Sequence, residues 1–272
     1  MHYTNENAEI ILRLAQDILK KNASPSMRLK NLWWIMLLGR ARELTKGLRD
    51  RLGNKVYDGP FKGMIISDDA LQLFQAPVLL GCYEQELHAV MENTIASRYD
   101  RIVNIGCSVG YYAVGLARRM PQAKIEAFDI DAEARRKCAE MAQLNGVQDR
   151  VFLGGEFYGE DFEKYRGTRT LFLVDIEGAE KELLDPARYP ALGEADFIVE
   201  MHDLMDGGIS EALTARFEAT HDIEMILNRT TVPDISGIVS PNIYLDPLDH
   251  FLLAWEGRDG PTPWGVFRKK HK

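Results

Sequence analysis

The chain reads as an α/β fold, a mostly parallel seven-stranded sheet with helices on both faces and a helical extension in front. Two observations predict the sheet. Between 101 and 131, an apolar run (Ile102, Val103, Ile105) meets a loop with two glycines, a helical pattern follows, and a second apolar run ends on Asp129. That order makes one half of a nucleotide-binding sheet: glycines let a ligand approach the backbone, and an acid about twenty residues on accepts hydrogen bonds from a ribose diol. Further apolar segments recur downstream at intervals long enough for crossover helices, the alternation that builds parallel sheets.

Taken in order, residues 8–22 place Ile10, Ile11, Leu14, Ile18 and Leu19 on one helical face. Ser24-Pro25 reads as the N-cap and first residue of a second helix through Leu29, Leu32, Trp33, Met36 and Leu37. This extension, 1–52, needs a cover for its apolar faces: the main domain, a second copy in a homodimer, or a substrate beneath a lid. From Gly53 to Ser67, Gly59-Pro60 and Gly63 separate short apolar runs and predict a hairpin. A loop and a helix from Glu84 to Ser97 complete a lead-in segment, 53–98, before a main domain of 99–272. There, Ala113, Leu116, Ala117 and Met120 mark a helix closed by Pro121, and Asp131 caps another from Ala132 to Leu144 that Asn145-Gly146 stops. Strands are expected at 150–153, 170–176, 195–200, 221–227 and 250–255, with a helix at 210–220, a long loop at 228–247 and a polar tail from Gly257.

A length of 272 residues accommodates one large domain with a smaller addition. Charged residues at 27% and hydrophobic ones at 46% are ordinary for a soluble globular chain. A net charge of -8 opposes a broad phosphate-binding surface, so nucleic acid is not an expected partner. The longest apolar run, Leu32–Leu38, is far too short to cross a bilayer, and the polar opening has no signal-peptide pattern. The expectation is a cytoplasmic protein with no membrane partner. Cys82, Cys107 and Cys138 share no metal-ligand spacing and read as reduced thiols.

The glycine loop runs Gly106-Cys107-Ser108-Val109-Gly110-Tyr111-Tyr112. It lacks the middle glycine of a dinucleotide site and suits a ligand carrying an amino acid rather than a pyrophosphate. Asn104, Gly106, Cys107, Ser108, Gly110, Tyr111, Asp129 and Ile130 are the candidate cofactor contacts at this end of the sheet. After the third strand, Glu156 and Phe157 read either as an acceptor for an exocyclic amine with a ring cover, or as a loop acid with a packing aromatic. Tyr83 and Glu84 either border the ligand or simply start a helix. The strand LFLVDI reaches Asp175, and DFIVE ends on Glu200, with His202 two residues beyond. Neighbouring strands lie about 4.8 Å apart, so pairing of these two sets Asp175 beside Glu200, with His202 on the same face. Each also has a structural explanation: Asp175 as a helix cap, Glu200 paired with an arginine, His202 as a satisfied edge residue.

Three ordered motifs resemble the FkbM-like class I S-adenosylmethionine-dependent methyltransferases. They are VNIGCSVGYYA with Asp129, the D-x-E-G-x-E segment Asp175-Ile176-Glu177-Gly178-Ala179-Glu180, and the strand ending IVEMHD. They cover about Asp100 to Glu256 and leave out the N-terminal helices; the second strand ends F-D-I-D where many members have F-E-P. The resemblance implies a Rossmann-like class I methyltransferase fold, S-adenosyl-L-methionine as cofactor, and O-methylation of a small-molecule hydroxyl on a sugar or natural product. In-line methyl transfer requires an aligned acceptor oxygen and a group to take its proton. His202 is the expected base. Asp175 and Glu200 orient it, or all three hold Mg or Mn. Two rivals stay open: a nicotinamide-dependent oxidoreductase, which the missing glycine and DIEGAE oppose, and a non-catalytic cofactor-binding module that meets a partner through the N-terminal helices.

Overall fold

The computed structural model describes residues 4–229, 231, 234–235, 237–238, 245–258 and 260–270, with 72–75 described by backbone alone. Helices α1 (Asn5–Lys20), α2 (Pro25–Leu52), α3 (Asp68–Leu80) and α4 (His88–Ala96) precede a sheet. Its strands are β1 (Arg101–Ile105), β2 (Lys124–Phe128), β3 (Val151–Gly154), β4 (Thr170–Val174), β5 (Asp196–Glu200), β6 (His221–Ile226) and β7 (Trp264–Lys269). They lie in the order β3-β2-β1-β4-β5-β7-β6, with β7 antiparallel to both neighbours and every other pair parallel. This is the mostly parallel seven-stranded sheet that the sequence predicts. Helices α5 (Tyr111–Arg119), α6 (Ala132–Leu144), α7 (Glu180–Leu183), α8 (Ile209–Phe217) and α9 (Pro247–Leu253) lie in the connections.

Alternation along the central strands divides the interior in two. Ile102, Leu171, Leu173 and Ile198 belong to one core with Leu116 and Met141, while Val103, Phe172, Phe197 and Val199 belong to the other with Phe162 and Phe217. Successive side chains of a strand point to opposite faces, and a parallel sheet needs both faces covered. The chain winds outward from β1 through β2 to β3, then returns across β1 to β4. A crevice opens where that winding reverses, at the carboxyl ends of β1 and β4.

Local signals account for most element ends. Ser24 accepts from the Met27 N–H and Asp131 from the Glu133 N–H, so both predicted caps form, and α6 spans the predicted residues. The hairpin expected between Gly53 and Ser67 is a single antiparallel bridge, Lys55 to Ile65. The Asn145 side chain takes the outer backbone groups of Ile65 at 2.8 and 2.7 Å, standing in for a further strand.

Two expectations are corrected. The stretch after Ser67, expected as a loop, is α3: the Ser67 hydroxyl caps it and left-handed Gly81 closes it, so Pro77 is carried inside its C-terminal half. The last strand is not 250–255. Asp246 and Asp249 form a capping box around Pro247 at the first helical position, which turns that segment into α9. The strand lies instead at Trp264–Lys269, in the expected polar tail, with Trp264 fully buried between β5 and β6. Half of the loop expected at 228–247 lies outside the described residues.

The extension is half covered. Ile11, Ile18, Leu37, Leu44 and Leu48 are buried as α2 packs on α1, α3 and α9, while Ile10, Leu14, Leu19, Leu29, Trp33 and Met36 are exposed. Among the described residues, no helix is long and apolar enough to cross a membrane.

An ion pair ties α2 to α9: Arg40 Nε and Nη2 donate to the two Asp249 carboxylate oxygens at 2.7 and 2.8 Å. Burial alone raises the Asp249 carboxyl, but Arg40 and the Asp246 N–H outweigh it and hold the group below its usual 3.8. A depressed carboxyl stabilises the fold above 3.8, and that contribution disappears as pH falls through the lower folded value. Asp249→Ala leaves Arg40 without this partner, and we expect a loss of about 3 kcal/mol near neutrality. Denaturant midpoints measured along an acid series should show the gap from the unaltered protein closing below that value.

Candidate active site

Register alone assembles the centre of the site. Ile105 of β1 pairs with Phe128 of β2 and with Val174 of β4, and Val174 pairs with Val199 of β5. The residues that follow, Gly106, Asp129, Asp175 and Glu200, therefore emerge at one level on the sheet's carboxyl edge. A Cβ on Gly106 would stand 1.6 Å from the Asp175 carbonyl oxygen, so the backbones touch here and only glycine fits. The Gly106 and Cys107 N–H groups donate to the Phe128 carbonyl at 2.8 and 2.9 Å, bending the loop over the end of β2.

This bend orients Asp129. Its Oδ2 accepts the Ser108 N–H and its Oδ1 the Asp131 N–H, both at 2.9 Å. The carboxylate is fixed by backbone, with remaining acceptor capacity toward a diol. Ser108 takes a left-handed conformation, φ 47°, to make its contact.

Two clefts, of about 650 and 630 Å³, meet over Gly106, Asp129, Asp175 and Glu177. Asn104, Cys107, Ser108 and Tyr111 line the first, and Ile130, Glu156 and Phe157 the second. Gly110 lines neither. A Cβ there would meet Cys138 Sγ at 2.6 Å, so this glycine lets α5 lie close against α6. Phe157 is mostly buried, its ring edge-on to Phe128, Phe162 and Phe172, and Glu156 accepts the Tyr158 hydroxyl at 2.6 Å. Both still line the second cleft.

The first cleft ends on Asp175, Glu200 and His202, with a ligand atom from each lying within 4.8 Å of the others. His202 Nε2 is 3.7 Å from Asp175 and from Glu200, and 3.5 Å from Glu177, all too long for hydrogen bonds. Its Nδ1 lies 2.7 Å from Glu180. Asp175 Oδ1 is buried with no hydrogen-bond partner among the described residues. Burial, then the neighbouring charges of Glu200, Glu84 and Glu177, push the Asp175 carboxyl well above its usual range. Burial works against a charged imidazole at His202, but Glu180, Glu200 and Glu177 prevail and raise it above 6.5.

Glu200 has the arginine partner that its structural explanation requires, in Arg258, and it also accepts the Thr262 hydroxyl at 2.7 Å. Arg258 is shared with Glu84 at 2.6 Å and Glu256 at 2.8 Å. Glu84 is fully buried, left-handed at φ 48°, and accepts the Tyr112 hydroxyl. Burial first, then Glu200, push its carboxyl up to about 8 against the pull of Arg258 and Tyr112. Sequence reasoning missed Arg258, Glu256 and Thr262 because nothing local marks a loop before an unrecognised strand. Glu177 and Glu180 carry a signal, their place in D-x-E-G-x-E.

The donor sets fit two kinds of guest. A backbone-oriented carboxylate beside bare glycine backbone fits a nucleoside, and two carboxylates with an imidazole, one oxygen unpaired, fit a hard divalent cation.

No family model matches the chain. It is similar to two curated proteins named ribosomal RNA small subunit methyltransferase C. One is from Hahella chejuensis, 29% identical over 86 residues, 31% of this chain and 25% of that protein. The other is from Vibrio vulnificus, 30% identical over 73 residues, 27% and 21%. The similarity thus spans about a quarter of their length. Among solved structures, it overlaps the O-methyltransferase TomG from Streptomyces achromogenes, in complex with SAM, at 14% identity, 86% and 90% coverage of the two chains, and TM-score 0.46. A SAM-dependent O-methyltransferase from Thermotoga maritima overlaps at 14%, 69% and 66%, with TM-score 0.45.

Removing the shared cation tests the buried cluster. Arg258→Met leaves Glu84, Glu200 and Glu256 facing one another, and we expect about 3–5 kcal/mol lower stability. Because protonation relieves that repulsion, the deficit should be largest above pH about 8, the Glu84 value, and narrow on acidification, as read from thermal midpoints across pH.

Proposed function

We propose that this chain is an S-adenosylmethionine-dependent methyltransferase acting on the hydroxyl group of a small molecule. The observation that carries the reading is Asp129, held by two backbone N–H groups where two clefts join over the bare backbone of Gly106. A ribose diol on that carboxylate would send its base toward Glu156 and Phe157 and its amino-acid arm along Ser108 and Tyr111. The sequence motifs and the short similarity to named methyltransferases support the same assignment.

The cofactor supplies a methyl group on a sulfonium, ready for in-line displacement by an acceptor oxygen. The chain must hold that oxygen in line and remove its proton. Asp175 and Glu200 accept hydrogen bonds from a polyhydroxylated acceptor, and His202 Nε2, directed at both, takes the proton. Alternatively, Asp175, Glu200 and His202 would hold a divalent cation that acidifies the acceptor hydroxyl, with His202 then a ligand rather than the base. Because its neighbours raise the imidazole, His202 becomes a base only as pH climbs through that raised value.

A small acceptor is favoured over RNA. The clefts carry Asp131, Glu160, Glu177 and Glu182 near their mouths, the chain carries a net charge of -8, and phosphates brought to such a rim are repelled.

Calorimetry with S-adenosylmethionine and S-adenosylhomocysteine, with and without magnesium, tests cofactor and cation together. Asp129→Ala should weaken both nucleosides roughly 10- to 100-fold, the worth of hydrogen bonds to a charged group. Lack of binding to the unaltered protein, or bound nicotinamide detected by its absorbance, refutes the reading. His202→Ala should bind the cofactor normally and turn over slowly; tight binding with no turnover of any acceptor by the unaltered protein favours the non-catalytic module. Activity that survives full chelation removes the cation from the scheme.

A further inference from the structure

We infer that Glu180, the second glutamate of the D-x-E-G-x-E segment, is a positioning residue that sets the tautomer and direction of the His202 ring. The use to which the ring is then put rests on the methyltransferase reading; the tautomer does not. Glu180 is fully buried, and its Oε1 lies 2.7 Å from His202 Nδ1. The same oxygen accepts the Gly178 N–H at 3.2 Å. An ionised carboxylate has no hydrogen to give and can only accept from the ring, so Nδ1 carries the hydrogen and the lone pair of the neutral imidazole sits on Nε2.

The surroundings of Nε2 show why this needs enforcing. Asp175, Glu177 and Glu200 stand 3.5 to 3.7 Å from it, near enough to attract a proton onto Nε2 but beyond hydrogen-bond length. Left to those three acids, the neutral ring would favour hydrogen on Nε2 and turn its lone pair inward, away from the cleft. Glu180 reverses that preference from behind. A buried carboxylate is costly unless partnered, and its Oε1 meets the imidazole and the Gly178 N–H, while Oε2 has no hydrogen-bond partner among the described residues. A side chain kept there at that cost is explained by the ring it steers. The same anchoring serves Nε2 as a proton acceptor or as a metal ligand, since either use needs the opposite nitrogen held by a hydrogen bond.

The test reads the ring itself. Two-bond proton–nitrogen NMR on imidazole-labelled full-length protein, above the titration range of the ring, distinguishes a pyrrole-like from a pyridine-like Nδ1. The unaltered protein should show Nδ1 pyrrole-like at His202. In Glu180→Ala the assignment should invert, or the two forms should mix. Glu180→Gln should restore the original form, because the Gly178 N–H keeps an oxygen facing Nδ1. If an acceptor is turned over, Glu180→Ala should lower kcat about 10- to 100-fold with unchanged cofactor affinity. A pyridine-like Nδ1 in the unaltered protein overturns the inference, as does a tautomer that is unmoved in Glu180→Ala. Should Glu180→Ala not fold, the unaltered protein and Glu180→Gln still decide. Failure to bind S-adenosylmethionine sinks the methyltransferase reading and leaves the tautomer result standing.

Discussion

Arg258 donates to Glu84, Glu200 and Thr262 and pairs with Glu256, so a single guanidinium joins the segment before α4, the end of β5 and the loop leading into β7. The site depends on this contact. Parallel strands that end at one level deliver their polar termini together, and here those termini are largely acids. Placed side by side and taken out of water, like charges resist ionisation or push the strands apart. One partly buried cation shared among three carboxylates reduces that repulsion on the Glu84 side of the cleft. Asp175 receives no such help, and its Oδ1 is buried with no hydrogen-bond partner among the described residues, 3.7 Å from His202 Nε2.

The opposite constraint acts at Gly106. There the difficulty is volume, since the β1 loop passes so near the Asp175 carbonyl that a methyl group cannot be inserted. Close backbones at the reversal of winding and separated acids beside it produce one pocket with two characters. Over the glycine it is bare backbone with a single oriented carboxylate, suited to a nucleoside. Beyond β4 it is acidic with one imidazole, suited to positioning and deprotonating a hydroxyl.

Much of this was legible in the chain because it is written locally. A strand, a glycine loop and a capped helix are each specified within a few residues, so β1 to α6 could be read directly, whereas Asp175 falls beside Glu200 only if the two strands are taken as neighbours, as β4 and β5 are. Contacts made at a distance were not legible. Arg258 lies 58 residues from Glu200 and 174 from Glu84, and no periodicity announces such a meeting. Nor was the exchange of α9 and β7 a failure of signal: Asp246-Pro247-Leu248-Asp249 is a helix start, but HFLLAW is apolar enough to pass for a strand when read alone. The stretch after Ser67, expected as a loop, is likewise helical: the cap at Ser67 and the packing of α3 on α2 carry it past Pro77.

The D-x-E-G-x-E segment shows how one turn can assign opposite environments to like residues. Glu177 and Glu180 are three apart, a spacing that in a continuous helix would place them on one face. The backbone prevents this, with φ of 54° at Glu177 and 107° at Gly178 before α7 begins. Left-handed geometry at a glutamate is uncommon and needs support from its surroundings, whereas at glycine it is nearly free. The result is that the Glu177 side chain stands 72% exposed at the mouth of the cleft while that of Glu180 is fully buried behind His202. Of the segment's two glutamates, one is fixed by burial behind Nδ1 and the other is open to solvent on the Nε2 side, beside Asp175 and Glu200. Only the buried one can hold a ring in a single orientation, because a solvated carboxylate exchanges its hydrogen bonds with water at little cost. The glycine between them is what makes the two roles compatible within four residues.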